Sequence, residues 1–455
     1  MRRLAMEYLV SWKDNPRRKP LVLRGARQVG KSYLARKFAE SHMAGIAEIN
    51  FEKNPEAGDL FTDKSPVKIL PRLEILTGIK IIPGETLLFL DEIQAVPEVF
   101  ASLRYFYENL PSLHIIAAGS LLEFVLREHE FFMPVGRIEY LHLGTVTYEE
   151  YLVASGRAHL AEFLGQYEIG NELPLPFHEQ LMGAFREYLV IGGMPESIQA
   201  FLDSSSFLES DKVKQAILST YQDDFRKYGA RVNIQRLRHV FQKLPMLVGG
   251  KFMHSRVDNE AQARDIGDAL RMLCLARVAY KVCHSSCNGI PVSAEIDDKK
   301  FKVLFLDVGL LCRACGLGLL EFEKAQDIML VNSGSVCEQF IGQHLLYSKQ
   351  FFEEPELNYW SREKRQSSAE VDYILSQGNH IIPVEVKAGK TGRLKSLHVF
   401  LKEKKLGFGI RFNADLPSLL DTTAVLPDEK SLDYRLLSLP LYMVGQVRRL
   451  IRSSI

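Results

Sequence analysis

The sequence predicts an α/β protein whose first domain is built on a parallel sheet of five strands. Through the first 145 residues, short apolar runs of strand length alternate with amphipathic or proline-initiated segments that are typical of helices. The five runs are residues 21–24, 46–51, 86–90, 114–118 and 137–143. This alternation favours a parallel sheet, because a helix is the usual crossover that carries the chain back to the same edge.

A glycine-rich segment directly follows the first run. Residues 25–32 read GARQVGKS and match the G-x-x-x-x-G-K-S spacing of a phosphate-binding loop. Its glycines allow a tight turn in which N–H groups point at phosphate oxygens, and the next helix adds its positive N-terminal dipole. The strand-like run before it and the amphipathic residues 33–39 after it argue against a chance glycine turn. The predicted ATP-binding residues are Gly25, Ala26, Arg27, Gln28, Val29, Gly30, Lys31 and Ser32.

Acidic and small polar residues follow two later strands. Asp91 and Glu92 end the third run, where the first carboxylate binds Mg²⁺ and the second can polarise the attacking water. In the same chemistry Lys31 reaches the β- and γ-phosphates and the Ser32 hydroxyl holds the metal. Ser120 follows the fourth run, where it either orients water or serves as the N-cap of the next helix. The sequence therefore predicts ATP hydrolysis with ATP and Mg²⁺ bound.

Composition and charge exclude several classes of protein. The chain has 455 residues, 46% hydrophobic and 25% charged, as in folded globular proteins. Its net charge is +1, so a polyanionic partner must be met by a local patch. The sequence contains no apolar run of membrane-spanning length and no apolar export signal in residues 1–7, which predicts a cytoplasmic protein without membrane partners. Six cysteines fit that compartment as reduced thiols, and their spacings do not favour zinc.

Five motifs together resemble those of prokaryotic AAA-family ATPases whose C-terminal half is known only as a domain of unknown function. They are GARQVGKS at 25–32, LDEIQ at 90–94, AGS at 118–120, VGR at 135–137 and GGMPE at 192–196. The match runs essentially end to end and implies an additional-strand fold with a catalytic glutamate. It also implies that Arg137 reaches the γ-phosphate of a neighbouring subunit, which is compatible with a homo-oligomer. A structural salt bridge is the other interpretation of Arg137.

The resemblance and the order of elements divide the chain into five parts. These are an ATPase core at 1–145, a helical lid at 146–232, a winged-helix-like module at 233–325, a nuclease-like α/β domain at 326–425 and a C-terminal tail at 426–455. The winged helix is predicted from helical segments at 233–244 and 259–273 that precede two strands. Such a module can enter a DNA groove or pack protein against protein.

An acid-bearing hairpin in the fourth part resembles the core of PD-(D/E)XK nucleases, which have the restriction-endonuclease-like fold. Asp372 lies on one predicted strand, and Glu385 and Lys387 lie on the next. In that chemistry Asp372, Glu385 and the helical Glu338 would bind Mg²⁺. Lys387 would orient water or steady the phosphate. A half-buried hairpin with ordinary charge, or a nuclease fold that has lost cleavage, is the other interpretation. The basic excess over residues 387–405 suits a phosphate backbone or a solvated helix face.

Two functions are compatible with the sequence. The first is an AAA-type ATPase that couples ATP hydrolysis to action on nucleic acid through the nuclease-like domain. The second is a nucleotide-dependent switch or scaffold that recruits protein partners, with a non-cutting C-terminal domain. The partners expected are therefore ATP together with DNA or with other proteins.

Overall fold

The computed structural model describes residues 1–120, 136–228, 232–317, 333–364, 367–389, 393–425 and 431–455. Val135 of the VGR motif, Lys390 of the basic stretch and the predicted boundary at 325/326 lie outside these ranges. The chain divides into two compact units, which we call unit 1 and unit 2. Unit 1 contains Met1–Thr145, Leu275–Arg277 and Lys349–Pro355, and unit 2 contains Val146–Cys274, Val278–Ser348 and Glu356–Ile455. Within the described ranges, no helix is both long and apolar enough to cross a membrane.

Unit 1 is built on a five-stranded parallel sheet. Its strands are β1 (Leu21–Arg24), β2 (Gly45–Asn50), β3 (Thr86–Asp91), β4 (His114–Ala118) and β5 (Glu139–His142). Their order is β2-β3-β4-β1-β5, and every neighbouring pair is parallel. All residues of β3 and β4 are buried, as in parallel sheets that are covered on both faces. The predicted five-stranded parallel sheet is confirmed, and β4 lies between β1 and the acid-bearing β3.

Helices of unit 1 accompany these strands. In the described ranges they are α1 (Ala5–Asp14), α2 (Lys31–His42), α3 (Pro66–Thr77) and α4 (Pro97–Asn109). Both α3 and α4 begin with proline, whose missing N–H costs nothing in the first turn of a helix. The apolar core against the sheet includes the fully buried side chains of Phe51, Phe61, Leu88, Leu103 and Phe106.

Unit 2 begins with helices and continues into a large sheet. Its described α-helices are α5 (Tyr148–Ala154), α6 (Ala158–Gln166), α7 (Leu175–Ile191), α8 (Pro195–Ser204), α9 (Phe207–Asp224), α10 (Ile234–Lys243), α11 (His254–Val257), α12 (Ala263–Leu275), α13 (Val308–Ala314), α14 (Ser333–Leu346), α15 (Lys395–Lys404) and α16 (Val447–Arg452). A capping box starts α5, because Thr147 and Glu150 each bind the other's backbone N–H.

The sheet of unit 2 is mixed and has eight strands. They are β6 (Ala279–Ser285), β7 (Ile296–Phe305), β8 (Leu357–Lys364), β9 (Ser367–Gln377), β10 (His380–Val386), β11 (Phe408–Asn413), β12 (Ser418–Val425) and β13 (Ser431–Pro440). The order is β12-β13-β11-β10-β9-β8-β6-β7. β9 and β10 form an antiparallel hairpin, which places the acid-bearing strands predicted from the sequence side by side.

This sheet joins segments that the sequence analysis assigned to different parts. The element order of a winged helix is present in helices α10 and α12 followed by the antiparallel hairpin β6–β7. However, β6 also pairs with β8. β13 pairs with β12 and β11, so residues 431–440, assigned to a tail, lie inside the sheet. The predicted lid, residues 146–232, falls within unit 2. Local patterns specify single elements, whereas long-range strand pairing decides which elements share a sheet.

The GGMPE motif at 192–196 packs against the start of α13. Asp307 caps this helix, because its carboxylate accepts hydrogen bonds from two N–H groups of the first turn at 2.9 and 3.1 Å. The same buried carboxylate accepts from the Gly193 N–H at 2.6 Å. Gly192 has a φ of +80°, and a Cβ there would lie 2.2 Å from Asp307 Oδ1 and 2.8 Å from the Gly309 Cα. Packing inside unit 2 therefore accounts for the glycine at 192.

We expect Gly192→Ala to lower the free energy of unfolding by about 2–4 kcal/mol, because it adds both a steric clash and a left-handed backbone strain. Urea unfolding followed by circular dichroism measures the change. Gly183→Ala is the matched control, since a Cβ at this exposed position of α7 would meet nothing within 4 Å. It should raise stability by up to about 1 kcal/mol. Equal effects of the two substitutions would contradict this account of Gly192.

Candidate functional site

The phosphate loop connects β1 to α2 in a conformation that depends on its glycines. Gly30, directly before α2, has a φ of +93°. A Cβ on Gly25 would lie 2.3 Å from the Leu143 carbonyl oxygen. Gln28 adopts the left-handed conformation with a φ of +64°, which is uncommon for a residue with a side chain. The backbone of the loop therefore requires these two glycines independently of any ligand.

Lys31 is buried and turns back onto this loop. Its Nζ donates to the carbonyl oxygens of Gly25, at 2.9 Å, and Ala26, at 2.7 Å. Burial lowers the pKa of Lys31 to about 8, although the charges of Glu92 and Asp91 partly oppose the shift. Carbonyl oxygens carry only partial charge, so an anionic phosphate would be a stronger partner for this ammonium group.

The Ser32 hydroxyl and the Asp91 carboxylate meet at the edge of the sheet. Ser32 Oγ lies 3.0 Å from both carboxylate oxygens. Asn50, which is opposite Asp91 in the β2–β3 register, donates its side-chain amide to Asp91 Oδ2 at 3.2 Å. Burial and the charge of Glu92 raise the pKa of Asp91. Hydroxyl and carboxylate oxygens are the ligands that Mg²⁺ prefers, so this pair fits the metal predicted from the sequence.

Glu92 follows β3 in a left-handed conformation, with a φ of +54°. Gln94 Nε2 donates to Glu92 Oε2 at 2.6 Å, and Ser120 Oγ donates to the same oxygen at 3.4 Å. Arg27 of the phosphate loop donates its Nε to Ser120 Oγ at 3.2 Å. Hydrogen bonds therefore link the loop, the acid and the residue after β4. The helix that Ser120 was alternatively expected to cap would begin outside the described residues.

Three residues that support this site were not among the site residues predicted from the sequence. Asn50 binds Asp91, Gln94 binds Glu92, and Glu52 forms an ion pair with Arg27 at 3.2 Å. The position of Asn50 at the carboxyl end of β2 was a usable signal, since the carboxyl ends of parallel strands meet at one edge. Gln94 ends the LDEIQ motif at 90–94, but its contact with Glu92 depends on the turn after β3.

Arg137 precedes β5 and its side chain is 44% exposed. Its Nε donates to Glu108 Oε1 at 3.0 Å, and Arg104 donates to the same oxygen at 3.0 Å. The guanidinium also lies 5.9 Å from the centre of the Tyr107 ring. The structure thus contains the salt bridge that was one of the two interpretations of Arg137. Exposed pairs of this kind contribute little to stability, so the guanidinium can exchange its partner at low cost.

Two of the three C-terminal acids that were predicted to bind Mg²⁺, Glu338 and Asp372, meet around a lysine that was not predicted as a site residue. The side chain of Lys302, on β7, is 2% exposed, and its Nζ lies 2.8 Å from Glu338 Oε1 and 3.5 Å from Asp372 Oδ1. Glu370 Oε1 lies 2.6 Å from the same nitrogen. Burial alone would lower the pKa of Lys302, but the three carboxylates outweigh it and hold the pKa well above its usual value. Its signal in the sequence was a lysine within the apolar run FKVLFL.

Glu385 and Lys387 pair with each other. Lys387 Nζ donates to Glu385 Oε1 at 2.5 Å. Burial, reinforced by the charge of Asp372, raises the pKa of Glu385 to about 7. In the described part of the chain, no group of three or more histidine, cysteine, aspartate or glutamate side chains is arranged to hold a metal ion. The structure therefore places Glu338 and Asp372 on an ammonium group rather than around a common metal position.

Comparison with protein families assigns three parts of the chain. Residues 17–152, which contain every residue of the ATP site described above, match the model of the AAA domain. The chain carries an AAA domain. Residues 182–321 and 333–425 match two domains of unknown function, DUF8612 and DUF4143. These three domain matches confirm the resemblance to AAA-family ATPases with a C-terminal half of unknown function. An AAA domain indicates an ATP hydrolase.

Solved structures similar to the chain are distant in sequence. The Walker-type ATPase PABY2304 of Pyrococcus abyssi is 17% identical, with 69% of this chain and 95% of that chain covered and a TM-score of 0.44. The ORC2 protein of Aeropyrum pernix is 13% identical, with 67% and 88% covered and a TM-score of 0.33. The RuvB branch-migration motor of Thermotoga maritima is 15% identical, with 61% and 86% covered and a TM-score of 0.23. No curated protein matches the chain.

We expect the affinity of the AAA domain for ADP or ATP to fall as the pH rises above about 8. The pKa of Lys31 is lowered to about 8 in the nucleotide-free protein, and a bound phosphate would raise it again. Between those two values the free lysine is neutral and the bound one is charged, so binding takes up a proton. Affinity should weaken by up to about tenfold per pH unit.

Titration calorimetry at pH 8.5 in two buffers of different ionisation enthalpy measures this proton uptake directly. The same titration at pH 7 is the control, because Lys31 is then charged in both the free and the bound protein and takes up no proton. If the affinity of the wild-type protein for ADP or ATP were unchanged between pH 7 and 9.5, the prediction would be contradicted.

Proposed function

We propose that the protein is a Mg²⁺-dependent ATP hydrolase whose reaction takes place in the AAA domain. The observation that carries this proposal is the 3.0 Å approach of the Ser32 hydroxyl to both Asp91 oxygens. Lys31 and Glu92 lie beside that pair. A phosphate-binding lysine, two hard oxygen ligands and a carboxylate base are the parts that phosphoryl transfer to water requires.

Each side chain has a distinct role in this proposal. The Lys31 ammonium leaves its two loop carbonyls and binds phosphate oxygens. Ser32 and Asp91 would hold Mg²⁺, which neutralises phosphate charge when bound. Glu92 accepts the proton of the attacking water, and Ser120 orients that water or the carboxylate itself, since its hydroxyl already donates to Glu92.

We expect Glu92→Gln to lower the rate of ATP hydrolysis by roughly 10²- to 10⁴-fold, because it removes the general base. ATP binding should persist, whereas Lys31→Ala should lose both binding and hydrolysis. Glu98→Gln is the matched control, since Glu98 is an exposed acid six residues further on, in the first turn of α4. Phosphate release by the purified protein in Mg²⁺ gives the rate. Equal rates for Glu92→Gln and Glu98→Gln would refute the assignment of the base.

Arg137 is proposed to act across subunits. Its exposed side chain and its exchangeable pairing with Glu108 are compatible with contact to a phosphate of a neighbouring copy. In that case the rate per chain rises with protein concentration in the wild type and stays flat in Arg137→Ala. Arg104→Ala is the control, because Arg104 binds the same Glu108 oxygen. If Arg137→Ala retained the full concentration dependence, the salt bridge would be its whole role.

The C-terminal half is proposed to be non-cutting, with ATP hydrolysis serving as a switch for protein partners. The observation that favours this over the nuclease function is Lys302, whose ammonium lies among the acids that cleavage would need for metal. Action on nucleic acid through a nuclease-like domain remains the competing proposal. The two differ in whether the chain cuts DNA.

We expect the wild-type protein to leave supercoiled plasmid DNA intact in Mg²⁺ with ATP, because no metal-held water would be available at the C-terminal acids. Gel electrophoresis separates nicked from supercoiled DNA. Glu385→Ala is run alongside and should look the same. A nick made by the wild type and abolished by Glu385→Ala would establish the nuclease proposal instead.

A further inference from the structure

The acidic cluster of unit 2 is organised around one buried nitrogen. The Nζ of Lys302 makes contacts of 2.8 Å with Glu338, 2.6 Å with Glu370 and 3.5 Å with Asp372. Glu338 comes from α14, both other acids come from β9, and the lysine comes from β7. Acids from separate elements converge here on one point in the interior.

A convergence of carboxylate oxygens is what a divalent cation requires. Mg²⁺ takes oxygen ligands at about 2.0–2.1 Å, whereas an ammonium group hydrogen-bonds them at about 2.7–2.9 Å. The two shorter Lys302 contacts, 2.8 and 2.6 Å, are those of an ammonium ion pair. Because the nitrogen lies between the acids, a metal could approach them closely only if the lysine moved away.

A second observation shows that Lys302 does not supply a hydrogen bond to every buried carboxylate oxygen in this region. Glu385 is 5% exposed, and its Oε2 is buried with no hydrogen-bond partner. Its other oxygen accepts from Lys387. Leaving a buried carboxylate oxygen without a partner is unfavourable, because the hydration that it loses on burial is not replaced. The N–H of Val386, the residue after Glu385, donates to Asp372 Oδ2 at 2.8 Å, so Glu385 lies beside the cluster. Its free oxygen is an unused ligand of the kind that a divalent cation binds.

We propose that the Lys302 ammonium takes the place of a divalent cation in this cluster and keeps the C-terminal site free of metal. The cation is then part of the chain, so it holds α14, β7 and β9 together without any ion from solution. This inference deepens the proposal of a non-cutting C-terminal half and rests on it. It assigns the reason for the lack of cutting to one residue.

The test is Mn²⁺ binding to the full chain without nucleotide, measured by the electron paramagnetic resonance signal of the free ion. Lys302→Met keeps the length of the side chain and removes its charge. It should gain one Mn²⁺ site per chain, at least tenfold tighter than any site of the wild type. The double variant Lys302→Met with Asp372→Asn should lose the gained site. Lys302→Arg, which keeps a cation in the cluster, should gain none.

Two outcomes would overturn the inference. One is a folded Lys302→Met protein, by circular dichroism, that binds no more Mn²⁺ than the wild type. The other outcome comes from a comparison that needs no substitution at Lys302. Wild type and Asp372→Asn should give the same Mn²⁺ isotherm. A wild-type Mn²⁺ site that is lost in Asp372→Asn would show that Lys302 does not exclude metal. The second comparison decides the matter even if Lys302→Met fails to fold.

Mn²⁺ binding tests the role of Lys302 separately from ATP hydrolysis and from DNA cleavage. Binding is measured without nucleotide, so its result does not depend on whether the AAA domain hydrolyses ATP. DNA nicking by the wild type would refute the non-cutting proposal, whereas Mn²⁺ binding reports only on the role of Lys302.

Discussion

The parallel pairing of β3, β4 and β1 determines where the chemistry of unit 1 can occur, because it brings the carboxyl ends of three strands to one edge of the sheet. Leu23 pairs with Ala118, and Ala117 pairs with Leu90. The phosphate loop, Ser120 and Asp91 each follow within a few residues of these positions. Contacts such as Ser32 with Asp91 depend on this register, since a shift of one residue would turn each side chain to the opposite face.

Burial shifts the pKa values of the charged groups at this edge. The pKa of Lys31 falls to about 8 and the pKa of Asp91 rises, in both cases chiefly because burial penalises the charged form. Both groups would regain favourable interactions when an anionic phosphate and a cation are bound. Glu92 is fixed by Gln94 and Ser120 before any substrate arrives. Such preorganised groups need little rearrangement during the reaction, which is how active sites lower barriers most effectively.

Unit 2 also contains a buried lysine, but the partners of that lysine differ from those of Lys31. In unit 1 the buried lysine contacts only backbone carbonyls, so it stays available for an anion. In unit 2 the buried Lys302 contacts three carboxylates, which hold it in its charged form. The difference lies in the partners that the surrounding strands and helices supply, since both lysines are almost fully buried.

Local sequence determined much of unit 1. The spacing of residues 25–32 specified the loop, and the apolar runs specified the five strands, because both signals lie within a few consecutive residues. The same kind of signal located the hairpin that carries Asp372 and Glu385. The proline that begins helix α4 is likewise a local signal.

Only the tertiary structure decided which distant residues meet. It placed Lys302 between Glu338 and Asp372, 36 and 70 positions further along the chain. It explained Gly192 by the Asp307 carboxylate and inserted β13 into the sheet beside β11. None of these contacts follows from a local pattern, because each depends on strand order and on the packing of elements far apart in sequence.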